Sequence, residues 1–326
     1  MTMRLMRSTQ ALVSVALASL VLLSSLDASA ERRKRERRDP SSNDSSHEAA
    51  AGEPRAGADS SDVEEEGASA ERDDWIPYAL RDDVELSARW WSAQQIGSTF
   101  AFDLRGQTMV TPEVAIGFTL PWTFNVRDAG DPIAALGNPT LDVHYAARAG
   151  IVTWHVGGGI SAPLASIDDP EYRFAAGAGA ASLAAYDLHL FVPAFMPLRA
   201  YGGVEIRPNY VVSIRIGMAP IFLVPLESQD FEVALQEYAD VIALGDAGFG
   251  GGVRLQGAHV LTSDGDMAQL SVEPYLAYDD QESFFAKIGL LMALDEQLGF
   301  AFDTGKVATL HIGIGGYLDG SGGDSF

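Results

Sequence analysis

The chain has no cysteine, no excess of basic charge and, after its first thirty residues, no long apolar run. The absence of cysteine excludes disulfides, thiolate metal sites and lipid attachment to cysteine. A formal net charge of -23 argues against nucleic acid as a partner, because phosphate binding requires a basic face. Charged residues make up only 21% of the chain and glycine numbers 33, which favours tight packing and many turns over a helical bundle.

The first thirty residues have the features of a secretory signal peptide. Arg4 and Arg7 form a basic start, residues 11–23 form a short apolar run, and residues 28–30 form a small-x-small cleavage site. The apolar run is shorter than the roughly 18 residues of a membrane-spanning helix, which favours a cleaved signal over an uncleaved anchor helix. We therefore expect residues 1–30 to be removed on export.

Residues 31–74 have the composition of a disordered, charged linker. Val63 is their only large apolar residue, and they are rich in Ser, Ala, Gly, Asp and Glu, so they cannot bury a core. The segment opens with the basic run RRKRERR, from Arg32 to Arg38. Such a run either contacts anionic lipid or cell-wall polymer or is a solvated tail.

From Trp75 onward, large apolar residues alternate with small or polar ones. Between Val114 and Val126 every second residue is large and apolar. About twelve such segments recur, each near or above the roughly 9 to 11 residues that cross an outer membrane. This pattern predicts an all-β fold for residues 75–326, an antiparallel up-and-down transmembrane β-barrel of about 12 strands. A soluble sandwich or lipocalin-like barrel also alternates, but its strands are usually about 3 to 10 residues long.

The connections between these strands are of two kinds. We expect tight turns at 148–150, 207–209, 263–266 and 295–297, and long loops at about 127–138, 165–196 and 225–240. Tight turns at one rim and long loops at the other are typical of outer-membrane barrels, with both termini on the periplasmic side. The aromatic residues expected in interfacial girdles are Trp90, Trp122, Tyr145, Trp154, Tyr278 and Tyr317.

Charged residues and histidines occupy many inward-facing positions of the predicted strands. They either pair with one another to fill a narrow lumen or form a polar path for a substrate. These lumen-facing candidates are Glu85, Arg89, Asp103, Arg105, Asp142, His144, His155, Arg199, Glu205, Arg207, Arg215, Arg254, Glu273 and Lys287.

The residues predict no catalytic, metal or cofactor site. None of the six histidines lies at a spacing typical of a metal site. No nucleophile, general base and orienting group occur at a recognisable spacing either. We therefore expect a protein that is not an enzyme and that uses no metal and no cofactor.

The loop at 165–196 differs from the others in composition. Residues 174–186 are rich in alanine and can form a short helix, whereas residues 188–193 are too apolar for a free loop. The segment either folds into the barrel mouth as a plug, lines an apolar entry pocket, or packs against the outer rim. The gate or plug candidates are Tyr186, Asp187, His189 and Phe191.

One motif resembles a known family. Residues 136–145 (LGNPTLDVHY) are similar to the strand start G-[ND]-[PV]-x-[LV]-x-[LV]-x-Y of outer-membrane channel-like proteins of the phenol-degradation meta-pathway family. This resemblance implies a barrel that passes hydrophobic compounds, distantly akin to long-chain fatty-acid transporters. Residues 298–306 and 311–318 resemble a closing hairpin, and the chain ends in Phe326, as many such barrels do.

These features together predict passage of small, hydrophobic molecules across the outer membrane of a Gram-negative bacterium, with loop 165–196 as gate or plug. A non-transporting structural or binding barrel, closed by ion pairs, is the alternative, and an outer-membrane hydrolase is a third. The expected partners are outer-membrane lipid, barrel-assembly machinery, a small hydrophobic substrate and, through residues 31–74, the periplasm or cell wall.

Overall fold

The computed structural model describes residues 78–93, 97–127, 131–166, 168–262, 268–294 and 308–318. The predicted signal peptide and linker lie outside the described residues. No helix in the described part of the chain is long and apolar enough to cross a membrane.

The described residues are dominated by β-strands. The strands are β1 (Asp83–Ala93), β2 (Gly97–Thr111), β3 (Val114–Val126), β4 (Ile133–Leu136), β5 (Thr140–Ala149), β6 (Val152–Ser161), β7 (Phe195–Ile206), β8 (Val212–Pro225), β9 (Glu232–Leu244), β10 (Phe249–Val260), β11 (Ala268–Asp279), β12 (Phe284–Ala293) and β13 (Ala308–Tyr317). The helix α1 (Pro170–Ser182) lies between β6 and β7, and short 3-10 turns cover Tyr78–Leu80, Leu164–Ser166 and Leu188–Leu190.

Twelve of these strands form a closed antiparallel ring. Each pairs with its neighbours in the chain, β3 pairs with β5, and β1 closes the ring by pairing with β13. The short strand β4 pairs only with the end of β3. Closure pairs each of the twelve described ring strands on both sides, which is the condition for a sheet to lie in hydrocarbon. The prediction of an all-β, up-and-down barrel of about twelve strands is confirmed.

The predicted loop at 225–240 is wrong, because β9 begins at Glu232 and the loop covers only residues 226–231. The period-two pattern of β9 is interrupted by Glu237, which takes an outward position usually held by an apolar residue. The predicted count of about twelve strands includes residues 298–303 of the predicted closing hairpin in place of β9. Residues 298–303 lie outside the described residues, and β12 pairs directly with β13.

The missed strand also changes which rim the later connections occupy. The turns at 112–113, 150–151, 207–211, 245–248 and 280–283 share one rim with the start of β1 and the end of β13, here called the short-turn rim. The predicted tight turns at 263–266 and 295–297 fall on residues that are not described. The strands that flank them end at the opposite rim, together with the connection 162–194, because β9 reverses the direction of every strand after it.

The outward face of the barrel is apolar. Side chains such as Phe118, Leu141 and Ile314 are exposed on it, as the alternation predicts for a face that meets lipid. Outward aromatic rings pack in pairs across neighbouring strands, with centroid distances of 5.4 Å for Phe102 and Trp122, 5.4 Å for Tyr145 and Trp154, and 4.6 Å for Phe249 and Tyr278.

Two details of the outward face differ from a uniform apolar band. The girdle position predicted for Tyr317 is wrong: its hydroxyl donates inward to Asp279 at 2.7 Å, since Ile312, Ile314 and Gly316 hold the outward positions of β13. Glu237 and His259 meet on the outward face, with 3.2 Å between the carboxylate oxygen and the ring nitrogen.

Candidate functional site: a lumen closed by an internal plug

Residues 170–194, here called the plug, fold inside the ring. The helix α1 starts at Asp169, whose carboxylate accepts hydrogen bonds from the backbone N–H groups of Glu171 (2.8 Å) and Tyr172 (3.1 Å). Its alanines from 175 to 181 are buried, because side chains this small let the helix approach the wall closely. A methyl group added at Gly179 would lie 2.9 Å from the Phe191 ring, so the chain can fold back on itself only with glycine there.

Apolar contacts seat the plug against several strands. Trp91 of β1 and Leu291 of β12 pack with Ala181 and Ala184, and Trp91 is only 1% exposed although it lies in a barrel lumen. Two further clusters join the plug to β2 and to β8–β10. They contain Ala101, Ala180, Leu183, Leu190 and Phe191 in the first, and Ala185, Val192, Ile221, Leu223, Ala234, Ala258 and Val260 in the second. The half of the lumen next to the plug is therefore an apolar core.

One buried side chain ties the plug to the wall at two points and binds the segment before the plug at a third. Asn138 lies between β4 and β5, where the wall strand is interrupted, and it is fully buried. Its amide nitrogen donates to the carbonyls of His189 (3.0 Å) and Val192 (2.9 Å), and its amide oxygen accepts from the N–H of Ala165 (2.9 Å). The backbone N–H of Asn138 also donates to the Leu190 carbonyl at 2.6 Å. We call this arrangement the Asn138 latch.

A chain of charges holds the lumen-facing tip of the plug. Asp187 accepts from Arg105 of β2 at 2.9 Å, and Arg105 also pairs with Asp103 at 2.5 Å. Asp103 is 1% exposed and binds Arg89 on its other side. Burial by itself raises the pKa of Asp187, but the charge of Arg105 together with His189 and Arg199 holds it well below its usual range.

A second wall contact comes from a residue that sequence reasoning did not select. With its amide oriented to satisfy both donors, the Gln236 oxygen accepts from the backbone N–H groups of Asp187 (2.7 Å) and Leu188 (2.9 Å). Gln236 belongs to β9, in the segment that the sequence predicts as the loop at 225–240. A contact between Gln236 and the plug therefore could not be predicted from the sequence.

The fourteen charged and histidine candidates fall on the lumen side of the ring. Most take part in cross-strand pairs, including Arg215 with Glu205 (3.3 Å), Arg254 with Asp240 (3.0 Å) and Lys287 with Glu273 (2.8 Å). Asp240, which is fully buried and also accepts from the Tyr275 hydroxyl at 2.7 Å, was missed with β9. Arg207 follows β7 at the short-turn rim, where it donates to the Tyr210 carbonyl at 2.8 Å.

The segment before β1 closes the lumen from the short-turn side. The backbone N–H of Tyr78 donates to Glu205 at 3.1 Å, and the carbonyl of Ala79 meets the ring nitrogen of His144 at 2.8 Å. Arg81 reaches Asp279 at 2.9 Å and the Tyr317 hydroxyl at 2.7 Å. Composition alone did not indicate this role for residues 78–81, here called the N-terminal floor.

Two cavities lie between the plug and the N-terminal floor. Their volumes are about 210 and 140 Å³. Tyr78, Arg105, Tyr186, Asp187, Arg215 and Arg254 line both of them. The lumen thus contains a chamber lined by charged and aromatic side chains below an apolar plug seat.

A serine, a histidine and a glutamate stand in line beside this chamber. His311 meets Glu273 at 2.6 Å through Nδ1 and Ser87 at 3.4 Å through Nε2. The Ser87 hydroxyl, however, donates to Glu85 at the shorter distance of 2.8 Å. Since a serine has one hydroxyl proton, this arrangement does not present the serine to the histidine as an activated nucleophile. No group of three or more potential metal ligands is gathered among the described residues.

Solved structures of other proteins share this fold. The structure of the NanC porin matches with a TM-score of 0.50 and 9% sequence identity, over 72% of this chain and 100% of that one. An outer-membrane channel from Pseudomonas putida F1 matches with a TM-score of 0.48 and 10% identity, over 75% and 97% of the two chains. No protein-family model and no curated protein matches the sequence. The likeness to NanC concerns the fold, and the closed ring and the apolar outer face define a transmembrane β-barrel.

Proposed function

We propose that this protein is a gated channel for small molecules in the outer membrane of a Gram-negative bacterium, with the plug as its gate. The burial of residues 175–194 of the plug inside a closed ring carries the proposal. This segment is separate from the wall strands and is joined to them at Asn138, Gln236 and Arg105.

Three features support movement of the plug. Ala184, Ala185, Asp187 and Ala194 have positive φ angles of 50° to 64°, a backbone conformation that is unfavourable for residues other than glycine. The anchoring bonds are hydrogen bonds and ion pairs, which re-form readily. The wall side chains that contact the plug are largely apolar, so release of the plug would expose an apolar entrance to the lumen.

The finer identity of the cargo and the export route belong to the same proposal. We infer that the cargo is small and at least partly hydrophobic, in keeping with the resemblance of residues 136–145 to the phenol-degradation meta-pathway family. We also propose export through a signal peptide cleaved after Ala30, insertion into outer-membrane lipid by barrel-assembly machinery, and a periplasmic or cell-wall contact through residues 31–74. On this proposal the protein is not an enzyme.

A reversible lock tests the gate. Because the chain contains no cysteine, a pair introduced as Ala101→Cys and Ala180→Cys is the only pair that can form a disulfide. These alanines belong to one packed cluster, the first on the wall and the second on the plug. In planar bilayers we expect the oxidised variant to be silent and a reductant to restore current steps, and we expect a variant lacking residues 170–192 to give larger steps.

The controls for the lock are the two single-cysteine variants, which should not respond to reductant. Current that is identical in the oxidised and reduced double variant would refute a moving plug, provided that the disulfide is shown by mass spectrometry. Silence of the folded, inserted deletion variant would favour the alternative, a binding or structural barrel. The closure of the lumen by both the plug and the N-terminal floor is the observation that keeps this alternative in view.

Acidic pH should favour the open state through His189. Burial, with the nearby charge of Arg199, lowers the pKa of His189 to about 3, against about 6.5 for an exposed histidine. Between pH 6.5 and pH 3, His189 therefore binds a proton when the plug is released but not when the plug is seated. The seated state keeps its full stability above pH 6.5 and loses stability as the pH falls toward 3. At pH 5 the shift amounts to roughly 2 kcal/mol in favour of release. Open probability in bilayers at pH 7 and pH 5 measures it.

The matched variant for this effect is His189→Gln, which keeps the backbone carbonyl that Asn138 binds. It should lose most of the difference between pH 7 and pH 5. Asp187 stays ionised throughout this range in both states and does not contribute. An unchanged pH response in His189→Gln would contradict the role assigned to His189.

A further inference from the structure

One arginine of the larger cavity lacks the carboxylate partner that the others have. Four arginines line this cavity. Three are paired: Arg105 with Asp187 at 2.9 Å, Arg215 with Glu205 at 3.3 Å and Arg254 with Asp240 at 3.0 Å. For Arg199, no carboxylate of the described residues lies within the 4.0 Å that defines an ion pair.

The surroundings of Arg199 fix the plane of its guanidinium. The group stacks over the Tyr201 ring, 4.9 Å from its centroid, and Tyr201 is in turn held by a hydrogen bond from its hydroxyl to Asp142 at 2.9 Å. Its Nε is buried and has no hydrogen-bond partner among the described residues. A planar guanidinium with unused donors matches the two oxygens of a carboxylate.

Aromatic rings surround the same space. Tyr78, Tyr186, Tyr201 and Tyr238 all line the cavity. Two of these rings pack against an arginine of their own, Tyr78 with Arg215 at 5.0 Å and Tyr238 with Arg254 at 5.8 Å. Rings and guanidinium planes together form walls on which a flat, apolar ring packs well.

The volume of the larger cavity fits a small ligand. A cavity of about 150 Å³ holds one benzene molecule, and this one has about 210 Å³. It therefore accommodates a single ring that carries one short substituent.

From these observations we infer that the chamber binds a single-ring aromatic carboxylate, with its carboxylate on Arg199 and its ring among the tyrosines. The inference rests on the proposed function, since it names the class of molecule that would bind in the lumen during passage through the channel. It refines the hydrophobic cargo proposed above into one with an apolar ring and one acidic group.

Calorimetric titration of the mature full-length protein in detergent tests the inference with benzoate as the probe. We expect one saturable site per barrel. Arg199→Gln, which retains a flat polar end but no charge, should bind benzoate about tenfold to a hundredfold more weakly. Arg148→Gln, a matched change at an exposed arginine of the short-turn rim, should leave binding unchanged.

Two further ligands separate the contributions of ring and charge. Benzyl alcohol, which has the ring without the carboxylate, and acetate, which has the carboxylate without the ring, should each bind much more weakly than benzoate. Binding of acetate as tight as that of benzoate would overturn the inference, as would equal affinity of wild type and Arg199→Gln. Absence of any benzoate heat with folded wild-type protein would also overturn it.

The titration and the bilayer experiment fail independently. Benzoate binding that depends on Arg199, in a barrel whose plug deletion stays silent, would support the chamber and refute the channel. Current steps that respond to the disulfide lock, in a protein that does not bind benzoate, would support the channel and refute this choice of cargo.

Discussion

Replacing Asn138 with alanine is expected to open the barrel. The change removes both donors to the carbonyls of His189 and Val192 and the acceptor for the N–H of Ala165, all inside a buried seat. Leaving such groups unsatisfied costs roughly 1 to 3 kcal/mol each, so the seated plug should lose at least about 3 kcal/mol relative to the released one. That corresponds to a shift of about 100-fold or more in the ratio of open to closed barrels.

Single-channel recording in planar bilayers measures this shift as open probability. Asn138→Asp should act at least as strongly, because it sets a carboxylate against two carbonyl oxygens. Asn209→Ala is the matched control, since the Asn209 side chain also accepts two backbone N–H groups, from Val211 (3.0 Å) and Val212 (2.8 Å), but in a turn at the opposite rim. Wild-type gating in a folded Asn138→Ala protein would show that the latch does not hold the gate.

Replacing Asp103 with alanine is expected to destabilise the barrel itself. Asp103 is buried between Arg89 and Arg105, and its removal leaves two cations in the lumen without their shared partner. Breaking a buried ion pair from one side typically costs about 3 to 5 kcal/mol. Because the Arg105 side chain is 33% exposed and partly screened by solvent, we expect a loss near the lower end, roughly 3 kcal/mol.

Urea unfolding in detergent, followed by tryptophan fluorescence, measures the loss of stability. Asp168→Ala provides the control, since the Asp168 side chain is fully exposed and lies 3.6 Å from Arg173. Replacing the pair together, as Arg89→Met with Asp103→Leu, should cost less than Asp103→Ala alone, because no desolvated charge is then left on Arg89. An unfolding midpoint for Asp103→Ala equal to that of wild type would contradict the role assigned to this cluster.

The two lumen clusters differ in how visible they were beforehand. Arg89, Asp103 and Arg105 stand at inward positions of clearly alternating strands, so the sequence marked them as lumen residues. Asn138 was visible only as part of a motif, with no sign that its side chain would bind residues about fifty positions further along the chain. Contacts between residues so distant in the chain depend on where the wall places each partner, which local patterns do not encode.

The β9 strand shows how a local pattern fails. Its outward side contains Glu237 among apolar residues, and its inward side mixes Ala234, Gln236 and Asp240. Without a clean period of two, the segment resembles a polar loop. Pairing with β8 and β10 over eleven or more residues outweighs the weak pattern, and the strand supplies both Gln236 and Asp240 to the interior.

The sequence by itself determined the class of fold and the face of each clearly alternating strand, because a barrel in lipid requires alternation along its strands and that requirement is local. Only the tertiary structure decided that the apolar segment after β6 lies inside the ring rather than against its rim. It also decided that residues 78–81 close the other end and that, within the described part of the chain, Arg199 alone among the four cavity arginines has no carboxylate within 4.0 Å. Each of these outcomes depends on how well a segment fits a cavity formed by strands that are distant in the sequence. Such a fit leaves no repeating pattern in the sequence from which it could be predicted.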